Sequence, residues 1–196
     1  MNNILKIIAA SATLTSCAWQ SGDECHIHGT LPSDKWDGQY VFFVPMYDKD
    51  SIGVDSTKIK GNEFDFTTSK SAVSDIRLSW RTRLGIESHL VAYEPGCVEV
   101  HLDTLSSGGG TPQNDSLQAW KNRALAFQKN SYQMMTAYRN SLAANDTATS
   151  NRLKSEMRKA RDEYRKETIR LADDMAGTPL AIFMNGRVLG REKYNK

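Results

Sequence analysis

Residues 106–114 read SSGGGTPQN, and the chain obeys different periods on either side of them. Upstream, apolar residues recur at every second position in short runs bounded by turn residues, as half-buried strands require. Downstream they recur every three or four positions, as on one face of a helix. Strands followed by helices, rather than strands alternating with helices, predict an α+β chain. The expected architecture is an antiparallel β-sandwich of about seven short strands followed by an antiparallel helical hairpin. The glycine run itself reads as a flexible linker over residues 106–113. It is not a phosphate loop, because no Gly-Lys-Ser/Thr follows and no βαβ unit surrounds it.

Working upstream, the strand-like runs are residues 25–29, 39–47 (QYVFFVPMY), 51–60, 64–66, 75–80, 89–93 and 98–102. Pro45 points to an edge or bulge near the end of the second run. The turn Lys60-Gly61-Asn62-Glu63 joins the third run to Phe64 and Phe66, which predicts a hairpin. Glu94-Pro95-Gly96 supplies a tight turn between the last two, since proline presets φ and glycine accepts the left-handed region. These runs delimit a sandwich over residues 25–105.

Downstream, Asn114 or Asp115 can cap a helix whose apolar positions are Leu117, Trp120, Ala124, Phe127, Met134, Tyr138 and Leu142. Residues 143–146 break it. A second helix carries Leu153, Met157, Ala160, Tyr164, Leu171 and Met175, and Gly177 with Thr178-Pro179 stops it. The short connection makes the two helices antiparallel neighbours. Residues 180–189 predict a last turn or two of helix, with Thr178 as cap and Pro179 at the first position. Residues 114–196 form the helical part.

The N-terminus departs from this pattern. Lys6 precedes an apolar run at residues 7–14, too short to cross a bilayer and ended by polar residues, which is a signal-peptide profile over residues 1–16. The run ends at Leu14-Thr15-Ser16-Cys17, which resembles a bacterial lipobox. That resemblance implies cleavage before Cys17 and diacylglycerol on its thiol, with residues 17–24 as a lipidated tether. The expected location is the cell envelope, with the outer membrane favoured by Ala18. Cys25 and Cys97 remain in an oxidising compartment, either as a disulfide or as two buried thiols.

Charge and motifs bound the chemistry. Lys and Arg number 25 against 23 Asp and Glu in 196 residues, so no overall field favours nucleic acid. His26 and His28 share a strand face and invite comparison with His89 and His101 as zinc ligands, but scattered strand histidines are usually packing residues, and no metal is expected. No hydrolase elbow or carboxylate pair stands out, so no catalytic residue and no cofactor are assigned. Arg152, Lys154, Arg158, Lys159, Arg161, Arg165, Lys166 and Arg170 outnumber Glu156, Asp162, Glu163 and Glu167, read as a solvated helix face or as a contact for anionic head groups or an acidic partner. Met134, Met135, Met157, Met175, Trp120 and Tyr164 read as the seam between helices and sheet. Trp36, Tyr40, Phe42, Trp80 and Tyr93 read as core, or as a glycan or peptide platform where several lie exposed together.

Ile27-His28-Gly29, Asp37-Gly38, Asp55-Ser56, the 60–66 turn, Glu94-Pro95-Gly96 and 110–114 occur in an order that resembles a known family. It is the domain of unknown function that precedes thioredoxin-like domains in exported, lipid-anchored bacterial thiol-disulfide oxidoreductases of the peroxiredoxin and cytochrome-maturation type. The similarity spans roughly residues 25–114. It implies an accessory envelope module and, as a partner, a separate thioredoxin-like protein. Cys17, Cys25 and Cys97 lack Cys-x-x-Cys spacing, so thioredoxin chemistry is not carried over. The expectation is a non-enzymatic, lipid-anchored binding module, with an accessory redox role or an exchangeable Cys25/Cys97 pair as the alternative.

Overall fold

Alternating burial along the strands closes two sheets on each other. A computed structural model describes residues 22–46, 54–78 and 85–191. The strands are β1 (Cys25–Thr30), β2 (Tyr40–Pro45), β3 (Asp55–Lys58), β4 (Glu63–Thr68), β5 (Val73–Arg77), β6 (His89–Ala92), β7 (Gly96–His101) and β8 (Ser107–Gly109). They form two four-stranded sheets, β4-β1-β7-β8 and β3-β2-β5-β6. The chain is α+β, as the change of period predicts. Cys17 with the rest of the expected signal peptide, Trp80, and the start of the 51–60 run lie outside the described residues.

Three features correct the expected sandwich. First, β1 and β7 are parallel. Five other strands separate them in sequence, so no tight turn forces the antiparallel sense. Second, β3 and β4 form no ladder: the turn makes the single Lys60–Glu63 bridge, and then the strands part into different sheets. Fully buried Ile59 pulls the chain inward, and the Asp37 carboxylate holds the turn by accepting from Gly61 N (2.7 Å) and Asn62 N (2.8 Å). Third, the expected linker is not one. Ser107–Gly109 is an edge strand paired with β7. Its glycines serve proximity: a Cβ on Gly108 would lie 2.7 Å from His89 Nε2 and 2.8 Å from the Glu99 carbonyl oxygen.

The sandwich core fills the gap between sheets with Ile27, Val41, Phe43, Phe64, Ile76, Val91, Val98 and Val100 among others. Phe43 lies face to face with Phe66 at 3.7 Å and meets Phe64 edge-on at 6.2 Å, the second a favourable aromatic geometry. A second core lies on the far side of β5 and β6. There Val73 and Ala92 meet Leu117, Leu171, Leu180, Phe183 and Met184. Strand β6 therefore has Val91 in one core and Ala92 in the other.

The helices are α1 (Pro112–Ala143), α2 (Thr147–Asp174) and α3 (Pro179–Phe183), the last continued by a π-turn at Met184–Val188. Helix α1 begins earlier than expected, with Thr111 as N-cap and Pro112 at the first position. Asn114 and Asp115 are thereby released for other work: Asp115 reaches back to Gly110 N at 2.8 Å. Asp146 caps α2 by accepting from Thr149 N, which holds its carboxyl below the usual range. Thr178 caps α3 as expected, accepting from Ala181 N.

At 32 residues α1 is about 48 Å long at 1.5 Å per residue, yet its buried residues are Gln113, Asn114, Leu117 and Ser141. The hairpin is thus rooted at its base and projects as an arm. Along the arm Phe127 stacks on Tyr164 (4.5 Å) and Trp120 Nε1 donates to Thr168 Oγ1. No helix among the described residues is long and apolar enough to cross a membrane.

Candidate functional site

Where the helical base meets β5, β6 and the turn before β6, the packing leaves a cleft of about 330 Å³. It is lined by Met46, Asp75, Glu87, Ser88, His89, Leu90, Leu117, Trp120 and Lys121. The elements that build it are far apart in sequence, and none of its residues belongs to a recognisable motif.

His89 is its most buried polar group, 4% exposed. Its Nδ1 is buried without a hydrogen-bond partner. Burial, then the nearby charges of Lys121 and His101, lower its pKa to about 4. Lys121 Nζ donates to the Ser106 carbonyl (2.5 Å) and sits 3.3 Å from Glu87 Oε2, an ion pair without the geometry of a hydrogen bond. Asp75 lies against Arg77 at 3.4 Å. The Ser106 hydroxyl bonds the Glu87 and Asp103 backbones. The cleft thus offers a neutral imidazole, two carboxylates, one ammonium and an apolar wall including the Trp120 indole. This set can hold a small amphipathic molecule and orient it by hydrogen bonds.

A histidine kept neutral by burial has a consequence for stability. The unfolded chain takes up a proton near pH 6.5, the folded chain only near 4. Stability contributed by neutral His89 is therefore present above pH 6.5 and lost as pH falls to 4, by about 3 kcal/mol. Urea midpoints across that window should fall in the wild type and fall distinctly less in His89→Gln. Parallel curves would exclude His89 as the source.

The other residues singled out from sequence are placed elsewhere. His26, His28 and His101 line the outer face of the first sheet, bonded to Thr67 Oγ1, Asp65 Oδ1 and Thr30 Oγ1 respectively. His89 belongs to the other sheet, so the four do not converge, and no group of three or more metal-ligating side chains assembles among the described residues. Of the four described aromatics, Trp36 is buried and Tyr40 alone is exposed.

The Cys25–Cys97 bridge that the sequence allows is not made. Cys25 pairs across the ladder with Gly96, and Cys97 with His26. Neighbouring residues on a strand point to opposite faces, so the Cys25 sulfur enters the core while that of Cys97 faces outward. Cys25 is a free, buried thiol, pushed up in pKa mainly by burial, which makes it a poor nucleophile. Cys97 is not bonded to Cys25.

Residues 23 and 24 are held near the helical base. The Tyr93 hydroxyl donates to the Asp23 carbonyl, Gly96 N to the Glu24 carbonyl, and Gln113 N to Glu94 Oε2. The chain leading from residue 17 thus enters the fold beside the start of α1. Comparison with family models, curated proteins and solved structures yields no match, so a functional reading rests on this chain's own residues.

Proposed function

We propose that this chain is a lipid-anchored cell-envelope protein whose folded domain binds a partner or small ligand rather than transforming it. The observation that carries the proposal is Leu14-Thr15-Ser16-Cys17 at the end of the 7–14 apolar run, where small residues precede a thiol able to accept a lipid. Five residues separate Cys17 from Asp23, the first of the described residues bonded to the fold, so the anchor holds the domain within about 20 Å of the bilayer. The cleft supports binding rather than turnover. Its imidazole is neutral, its lysine is engaged by Glu87 and the Ser106 carbonyl, and the Ser106 hydroxyl is taken by backbone.

The test is Cys17→Ser in the full chain. On detergent phase separation the wild-type protein should enter the detergent phase and the variant should lose its lipid-dependent share. A wild-type protein recovered from the aqueous phase with a cleaved N-terminus would refute the anchor.

A further inference from the structure

Charge is segregated along the molecule. Residues 124–166, the distal arm, carry nine Lys and Arg against four Asp and Glu, a net +5; the whole chain is +2, leaving −3 for the remainder. Residues 85–120, which include the body beside the arm, hold five carboxylates and no Lys or Arg.

The arm's two sides differ. The helical seam on α2 runs through Leu153, Met157, Ala160 and Tyr164. On one side of it Arg152 is bonded to Glu156, and Lys159 has Glu163 one turn on, the pattern of a solvated face. On the other side stand exposed Lys154, Arg158, Arg161 and Arg165, for which no ion pair exists among the described residues. The side of α1 next to them starts at the base with Gln118 and Lys121, which bond Gly108 N and the Ser106 carbonyl. Continued by helical steps, that side presents Tyr132 (75% exposed), Met135 (39%), Arg139 and Leu142 (51%). It is therefore the inner side of the angle between arm and body. At the body end of this angle the loop after β7 exposes Asp103 and Leu105, the latter 62% exposed.

We infer that this inner angle takes a second copy of the chain. The basic, Tyr132- and Met135-bearing arm of each protomer lies against the acidic, Leu105-bearing corner of the other. The complementarity is built into one chain twice over, cation to carboxylate and apolar to apolar, so a two-fold clasp satisfies both copies at once and closes the assembly. The inference goes beyond the anchor and does not depend on it.

The test places a photo-crosslinking amino acid at Tyr132 in the full chain expressed in cells. The expected product has twice the chain's mass, with the crosslink mapping to residues 99–119. R158E/R161E should cut its yield by about 10-fold or more while leaving thermal stability unchanged, and adding D103K should restore part of it. C17S should keep the product, so loss of the anchor and loss of the clasp are read separately. A crosslink to lipid, nucleic acid or a different protein, or no crosslinked product, would overturn the inference.

Discussion

Replacing Asn114 by Leu is expected to cost about 3 to 5 kcal/mol, a large share of the 5–15 kcal/mol that holds an ordinary domain. The side chain is 3% exposed and does the work of a missing strand. Strand β6 ends its sheet, and Asn114 pairs with its edge residue: Oδ1 accepts from Ala92 N and Nδ2 donates to the Ala92 carbonyl, each at 2.9 Å, with a further bond to Thr111 Oγ1 at 2.7 Å. Leucine fills the space and leaves a buried donor and a buried acceptor without partners, each costing about 1 to 3 kcal/mol. Gln113 reinforces the joint by bonding the Tyr93 carbonyl and Leu180 N. The urea midpoint reads the effect. A loss under about 1 kcal/mol would mean that the second core alone docks the helices.

Gly29→Ala is the second large effect, and its cause is space rather than backbone conformation. A Cβ at Gly29 would sit 1.9 Å from Phe64 Cζ and 2.2 Å from Cε1. Gly29 and Phe64 are cross-strand partners, so the ring lies over the glycine, covering backbone that would otherwise be bare. The ring is 2% exposed and wedged against Phe43, so it has little room to yield. A loss of about 3 kcal/mol is expected, as for overpacking in a filled core. In the double variant with Phe64→Leu the alanine should cost less, because the shorter side chain vacates the contested position. Equal losses from Gly29→Ala in both backgrounds would show that the contact is not the cause.

These two residues also show what was legible beforehand. The strands were readable because Ile27, Val41, Phe64, Ile76 and Val100 stand at period two and face one core. Strand β8 was not, because Ser107, Gly108 and Gly109 have almost no side chains with which to show a period. Nor was the parallel pairing of β1 with β7, which depends on the path of five intervening strands. Asn114 reads locally as a helix cap; only the folded edge of β6 gives it a different role. The cleft draws Asp75, Glu87, His89, Trp120 and Lys121 from separate elements, so no spacing announces it. The sequence likewise left Cys25 and Cys97 open as a pair, and it is the alternation of strand faces that separates them.

The central claim concerns Cys17, whose thiol is proposed to carry the lipid in a thioether. Intact-mass and peptide mass spectrometry of the native protein tests it. The account predicts a chain beginning at residue 17 with a diacylglyceryl-bearing cysteine. A chain retaining residues upstream of 17, or one whose Cys17 carries no lipid, would contradict it.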